Sequence, residues 1–161
     1  MYARSLVTAL AALLLVTSGV FVVDVDPDEG PSVVDFDDTI GMNDLTQAEQ
    51  RVVRERSLAV PRAEVFYSRY RYVVGHQWLS SLVTALDRDG HEGQFGVPLS
   101  IYVTDYADAE LAAGDDGFLR VTGGDADWVA VEHAHFVVGS SARHPGGAAV
   151  VPFSDRAAAP P

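Results

Sequence analysis

The sequence predicts an α+β protein with antiparallel sheets, preceded by an N-terminal hydrophobic helix. Three observations predict it. Short apolar or alternating runs recur through the second two-thirds of the chain, bounded by Gly, Pro and Asp clusters. One amphipathic helical pattern separates the first pair of runs from the next. The order is strand, strand, helix, strand and then strands again, without the βαβ alternation of a parallel sheet. The chain has 161 residues, 48% of them hydrophobic and 21% charged. That is enough apolar material for a core and too much for a disordered chain.

At the N-terminus, Arg4 precedes an uncharged run from Leu6 to Val23, and Asp24, Asp26, Asp28 and Glu29 follow at once. A positive start before an apolar stretch orients the N-terminus inward and the body outward. Residues 1–23 are therefore a signal peptide or a membrane anchor, with the uncleaved anchor preferred. If uncleaved, residues 6–23 attach the chain to the membrane. The body is extracytoplasmic, either membrane-anchored or secreted. Residues 24–45, acidic and carrying Pro27, Gly30 and Pro31, read as a tether.

The first α+β unit spans 46–96. Thr46 and Glu49 have capping-box spacing, which starts a polar helix running to about Arg56. Pro61 closes that region. Ala63–Ser68 and Tyr70–Val74 are aromatic and β-branched and form a hairpin. Gly75 breaks the pattern. Trp78, Leu79, Leu82, Val83 and Leu86 then make an amphipathic helix with one buried stripe. Gly90, Gly93, Gly96 and Pro98 form a loop.

The second unit spans 97–161 and ends truncated. Leu99, Ile101 and Val103 alternate with polar partners as a half-buried strand. Residues 107–127, rich in Asp and Gly, form a hairpin loop with a weak strand near Phe118–Val121. Trp128–Val138 is the clearest strand, with His133 and His135 on its odd face. Ser141–Gly147 is a turn, Ala149–Phe153 a short strand, and Ser154 and Asp155 start a helix that Pro160 and Pro161 cut off.

The charge is unusual in its make-up. All 11 basic residues are Arg, the acids are 16 Asp and 7 Glu, and the net charge is -12. A dense carboxylate surface fits solubility in concentrated salt. It excludes a general nucleic-acid binder, which needs clustered cations. The absence of cysteine excludes disulfides, thiolate ligands and a thiol nucleophile. Enzyme motifs are missing as well: Gly139–Arg143 fails the nucleophile-elbow pattern, the glycines are not spaced for a phosphate loop, and there is no HExxH.

Three stretches carry a family likeness: Ile101–Tyr106 (IYVTDY), Trp128–Ser140 (WVAVEHAHFVVGS) and Val150–Arg156 (VVPFSDR). Together they resemble the NosL family, copper-binding accessory lipoproteins that supply nitrous-oxide reductase. The likeness is good over 99–156 and looser over 63–88. It implies a fold of two related strand–strand–helix–strand units. The family's metal end carries a lipid-anchoring cysteine and a Cys-Gly-Met. Here Ile40-Gly41-Met42 is the nearest counterpart, with Ile at the thiolate position. The family's Met-Gly-His-like turn is here Gly146-Gly147-Ala148.

Cu(I) prefers thiolate, thioether and imidazole. With only Met1 and Met42 for sulfur, the family's own site has little to draw on, and Met42 is its remaining candidate. His133 and His135, two apart on a strand, share a face and would suit Cu(II), nickel or zinc, with His144 in the following turn as a third donor; the competing reading places both at the wet end of the strand as surface residues. His76, after Gly75, reads as a helix-start residue rather than a ligand. The Asp pairs at 115–116 and 125–127 lack calcium-loop spacing. Tyr67, Tyr70 and Tyr72 with Arg69 and Arg71 read as hairpin packing. The expected function is that of a non-enzymatic, extracytoplasmic accessory or binding protein with copper as its one possible cofactor and an unknown protein partner. The alternative is a metal-free interaction or scaffold domain at the cell surface.

Overall fold

The computed structural model of the chain describes residues 33–42, 45–69, 72–138 and 141–159. The hydrophobic run 6–23 lies outside them. No helix among the described residues is long and apolar enough to cross a membrane. The elements in chain order are β1 (Ile40–Met42), α1 (Gln47–Glu55), β2 (Ala63–Tyr67), β3 (Val73–His76), α2 (Leu79–Leu86), α3 (His91–Phe95) and β4 (Pro98–Asp105). The second half continues with β5 (Ala109–Ala113), β6 (Leu119–Gly124), β7 (Asp127–Ala130), β8 (His135–Val137), β9 (Arg143–His144), β10 (Gly147–Ala148) and β11 (Val151–Phe153). The α+β class holds.

A five-stranded sheet in the order β1-β3-β2-β4-β7 organises the fold. β1 runs parallel to β3; every other neighbour in it is antiparallel. The pairs β5–β6, β8–β11 and β9–β10 form separate two-stranded sheets. Ala63, Val65, Tyr67, Val74 and Val103 on one face of the large sheet pack with Leu79 and Leu82 of α2. Tyr106, Leu119, Val151 and Phe153 make a second core beside the smaller sheets. Trp78 links the first turn of α2 to Leu45 and Val60.

Local chemistry explains several elements. The capping box of α1 is present: Glu49 N–H donates to the Thr46 hydroxyl at 3.3 Å, and Thr46 N–H donates to the Glu49 carboxylate at 2.8 Å. The β2–β3 hairpin forms as expected. Asp155 Oδ1 accepts from Ala157 N–H at 2.8 Å and caps the single turn at the C-terminal end.

Other expectations are corrected. Gly75 does not break the hairpin; it lies inside β3, fully buried, where residues 36 and 39 press against its backbone. The stripe of α2 is narrower than its apolar pattern: Leu79, Leu82 and Ala85 are buried, whereas Val83 is 66% exposed. Val83 is ~100° round the helix from Leu82, and the sheet covers only one row. The glycine-rich loop contains α3, bracketed by Gly90 at φ 81° and Gly96 at φ 84°. Residues 107–127 hold a full β5–β6 hairpin rather than a loop with one weak strand. A small β9–β10 ladder occupies the turn at 141–147.

The strand expected over Trp128–Val138 is broken. β7 ends at Ala130, a 3-10 turn takes Val131–His133, and β8 resumes at His135 to pair with β11. The cause is packing. Val131 and Ala134 turn into the first core, and Val137 then reaches the second. Alternation alone does not reveal that handover.

Candidate functional site

The proposed imidazole ligands are placed differently from one another. His133 sits in the 3-10 turn and His135 on β8, both exposed. They are therefore not two same-face positions of one regular strand. His144, on β9, is 3% exposed and stacked on Trp78. Its Nδ1 accepts from Gly146 N–H at 2.9 Å, which leaves the proton on Nε2. Burial holds its pKa below the usual histidine value. Among the described residues, no three His, Cys, Asp or Glu side chains gather as a metal cluster. The Asp116 carboxylate of the Asp-rich hairpin is taken up by Arg56 and Arg120.

The residue that the sequence reading set aside is the most isolated donor. His76 ends β3 and is 1% exposed, and neither ring nitrogen has a hydrogen-bond partner among the described residues. Burial, with a smaller push from His91, drives its pKa down to about 4. At neutral pH the ring is uncharged and keeps one nitrogen lone pair free. The parallel register sets Met42 of β1 opposite His76, and the antiparallel register sets Ala63 on its other side. The tripeptide Ile40-Gly41-Met42 thus runs alongside Val74-Gly75-His76. Nothing in the local sequence marks this pairing, because β1 and β3 are separated by α1 and β2.

A second buried histidine is satisfied. His91, at the start of α3, is hydrogen-bonded through Nε2 to the Tyr67 hydroxyl at 2.9 Å and packs on the rings of Tyr67 and Phe95. Burial pushes the Tyr67 phenol up to about 12, so it stays protonated. Tyr70 and Arg71 lie outside the described residues.

The sheet's other face carries a buried acid. Glu64 is fully buried. Its Oε2 accepts from Val34 N–H at 3.3 Å, and its Oε1 has no partner among the described residues. Burial raises its pKa to about 7; the Val34 hydrogen bond opposes this, and Asp35 adds to it.

Copper is the metal that the family likeness implies, and the donor chemistry can be tested for fit. There is no thiolate. What the described interior offers is the neutral imidazole of His76, whose backbone register partner on β1 is residue 42. A neutral imidazole suits copper better than it suits hard cations.

A family model described as NosL matches residues 56–160. No match was found among curated proteins or among solved structures.

Proposed function

The chain belongs to the NosL family, and from that premise we propose that it is a non-enzymatic accessory module that holds copper as cargo outside the cytoplasm. The imidazole of His76 would supply one donor in place of the family's thiolate, and the sequence offers Met42, its register partner on β1, as the source of sulfur. The observation that carries this reading is the imidazole of His76, buried with both nitrogens unpartnered among the described residues. Leaving a polar group unsatisfied in the interior costs free energy, commonly ~1–3 kcal/mol. A bound soft cation removes that cost. The hydrophobic run 6–23 would tether the module if it is retained, and the net charge of -12 opposes nucleic acid as a partner.

A second reading, a metal-free docking module at the cell surface, rests on isolated apolar side chains. Val83, Leu99 and Val138 are each about two-thirds exposed.

Anaerobic competition of the full chain with a chromophoric Cu(I) chelator separates the two. The copper reading expects the chain to withdraw one equivalent of Cu(I). If the chelator keeps all of it, that reading is wrong and the docking reading takes its place.

A further inference from the structure

Residues 33–39 cross the face of the sheet that does not carry His76. The register shows which face that is: Ala63 pairs with His76, whereas the next residue, Glu64, pairs with Gly75 and takes the opposite side. Three of its residues lay this segment down. Val34 N–H donates to Glu64. The Phe36 ring stacks on Trp128 at 6.1 Å, and the Arg62 guanidinium lies over it at 4.7 Å. Thr39 rests on Gly75 so closely that a Cβ there would lie 2.1 Å from its hydroxyl. The segment continues directly into β1, the strand that sets Met42 opposite His76.

We propose that residues 33–39 are a proton-operated strap: protonated Glu64 keeps them closed over the sheet, and ionised Glu64 releases them together with β1. The cause is desolvation. A buried carboxylic acid is tolerable with one hydrogen bond, but a buried carboxylate is not, and lifting the strap admits water to it. The surrounding elements bring few compensating charges. The strap contributes Asp35, which repels the carboxylate. The approach to β2 contributes Arg62, whose Nε is itself buried without a partner among the described residues. β4 contributes Tyr102, the register partner of Glu64, and β3 contributes only Gly75. The raised pKa of Glu64 agrees with this geometry and places the change near neutrality. Because the strap leads into β1, its release opens the edge of the sheet beside His76. Use of that opening to load or unload cargo rests on the copper reading; the opening itself does not.

Amide exchange of the full chain, read over residues 33–42 and corrected for intrinsic rates, tests the strap. Between about pH 5 and about pH 8 the wild-type opening should rise by at least about tenfold, while Glu64→Gln stays closed at both. Equal wild-type protection at the two pH values overturns the proposal. So does the same rise in Glu64→Gln, which would assign the titration to another group. Absence of Cu(I) binding would overturn the copper reading and leave this result standing.

Discussion

The imidazole of His144 lies flat on the indole of Trp78, with ring centroids 4.5 Å apart and planes 4° from parallel. This stack clamps the β9–β10 turn to the start of α2. Gly146 completes it: its N–H donates to His144, and a Cβ at that position would come within 2.9 Å of the Trp78 ring. His144→Ala removes a buried ring and leaves a donor unpaired. It should cost about 2–3 kcal/mol in urea unfolding. His144→Phe restores the stack but not the acceptor and should recover roughly half. An unchanged midpoint in the alanine variant would mean that the clamp is not structural.

Glu64 and His76 predict opposed pH dependences. The folded pKa of Glu64 lies above its unfolded value, so its contribution is full below about 4.5 and is lost as pH rises to about 7. The folded pKa of His76 lies below its unfolded value, so its contribution is full above about 6.5 and is lost as pH falls to about 4. After discounting for solvent screening, each is worth about 1–3 kcal/mol over its window. In the wild type the two slopes offset one another across mildly acidic pH. Glu64→Gln should expose the histidine slope, with stability rising from about pH 4 to 6.5. His76→Phe should expose the carboxyl slope, with stability falling from about pH 4.5 to 7. Parallel stability–pH curves for the wild type and both variants would refute the assignment.

Gly75 is required by close approach, since its backbone lies under Thr39 and Phe36. Gly75→Ala drives a methyl into the Thr39 hydroxyl and must displace the strap. The expected cost is about 1–3 kcal/mol, accompanied by faster amide exchange over 33–39. Exchange confined to wild-type rates would show that the contact yields without consequence.

The capping box of α1 should contribute a cost of about 1 kcal/mol on Thr46→Ala. The loss should appear as reduced helicity over Gln47–Glu55 in site-resolved spectra. α1 buries none of its residues, so the large sheet should keep its exchange protection. Loss of sheet protection would mean that α1 supports the core more than its exposure implies.

Much of this fold was legible from local chemistry, and the limits were topological. The Thr46–Glu49 box, the β2–β3 hairpin and the IYVTDY strand are written in spacing and residue type, which act over a few residues. α3 was missed because five residues around Gly93 carry no readable period. The break after Ala130 was missed because Val131 and Ala134 still look like strand residues; only the presence of two separate cores turns the chain there. For the site, His133 and His135 drew attention by proximity in sequence, yet both are exposed. His76 looked like an ordinary polar residue at a helix start. Its isolation arises from a parallel pairing across more than thirty intervening residues, and no local pattern encodes that.

Copper K-edge absorption on the Cu(I)-loaded full chain tests the central claim most directly. The account predicts a low-coordinate ion with one imidazole nitrogen and one sulfur. Met42→Leu should remove the sulfur scattering. His76→Ala should weaken binding by more than the ~10–100-fold that losing a supporting hydrogen bond costs. His133→Ala combined with His135→Ala should leave the spectrum unchanged. A nitrogen-only spectrum that survives His76→Ala and disappears in the His133/His135 double variant would contradict it.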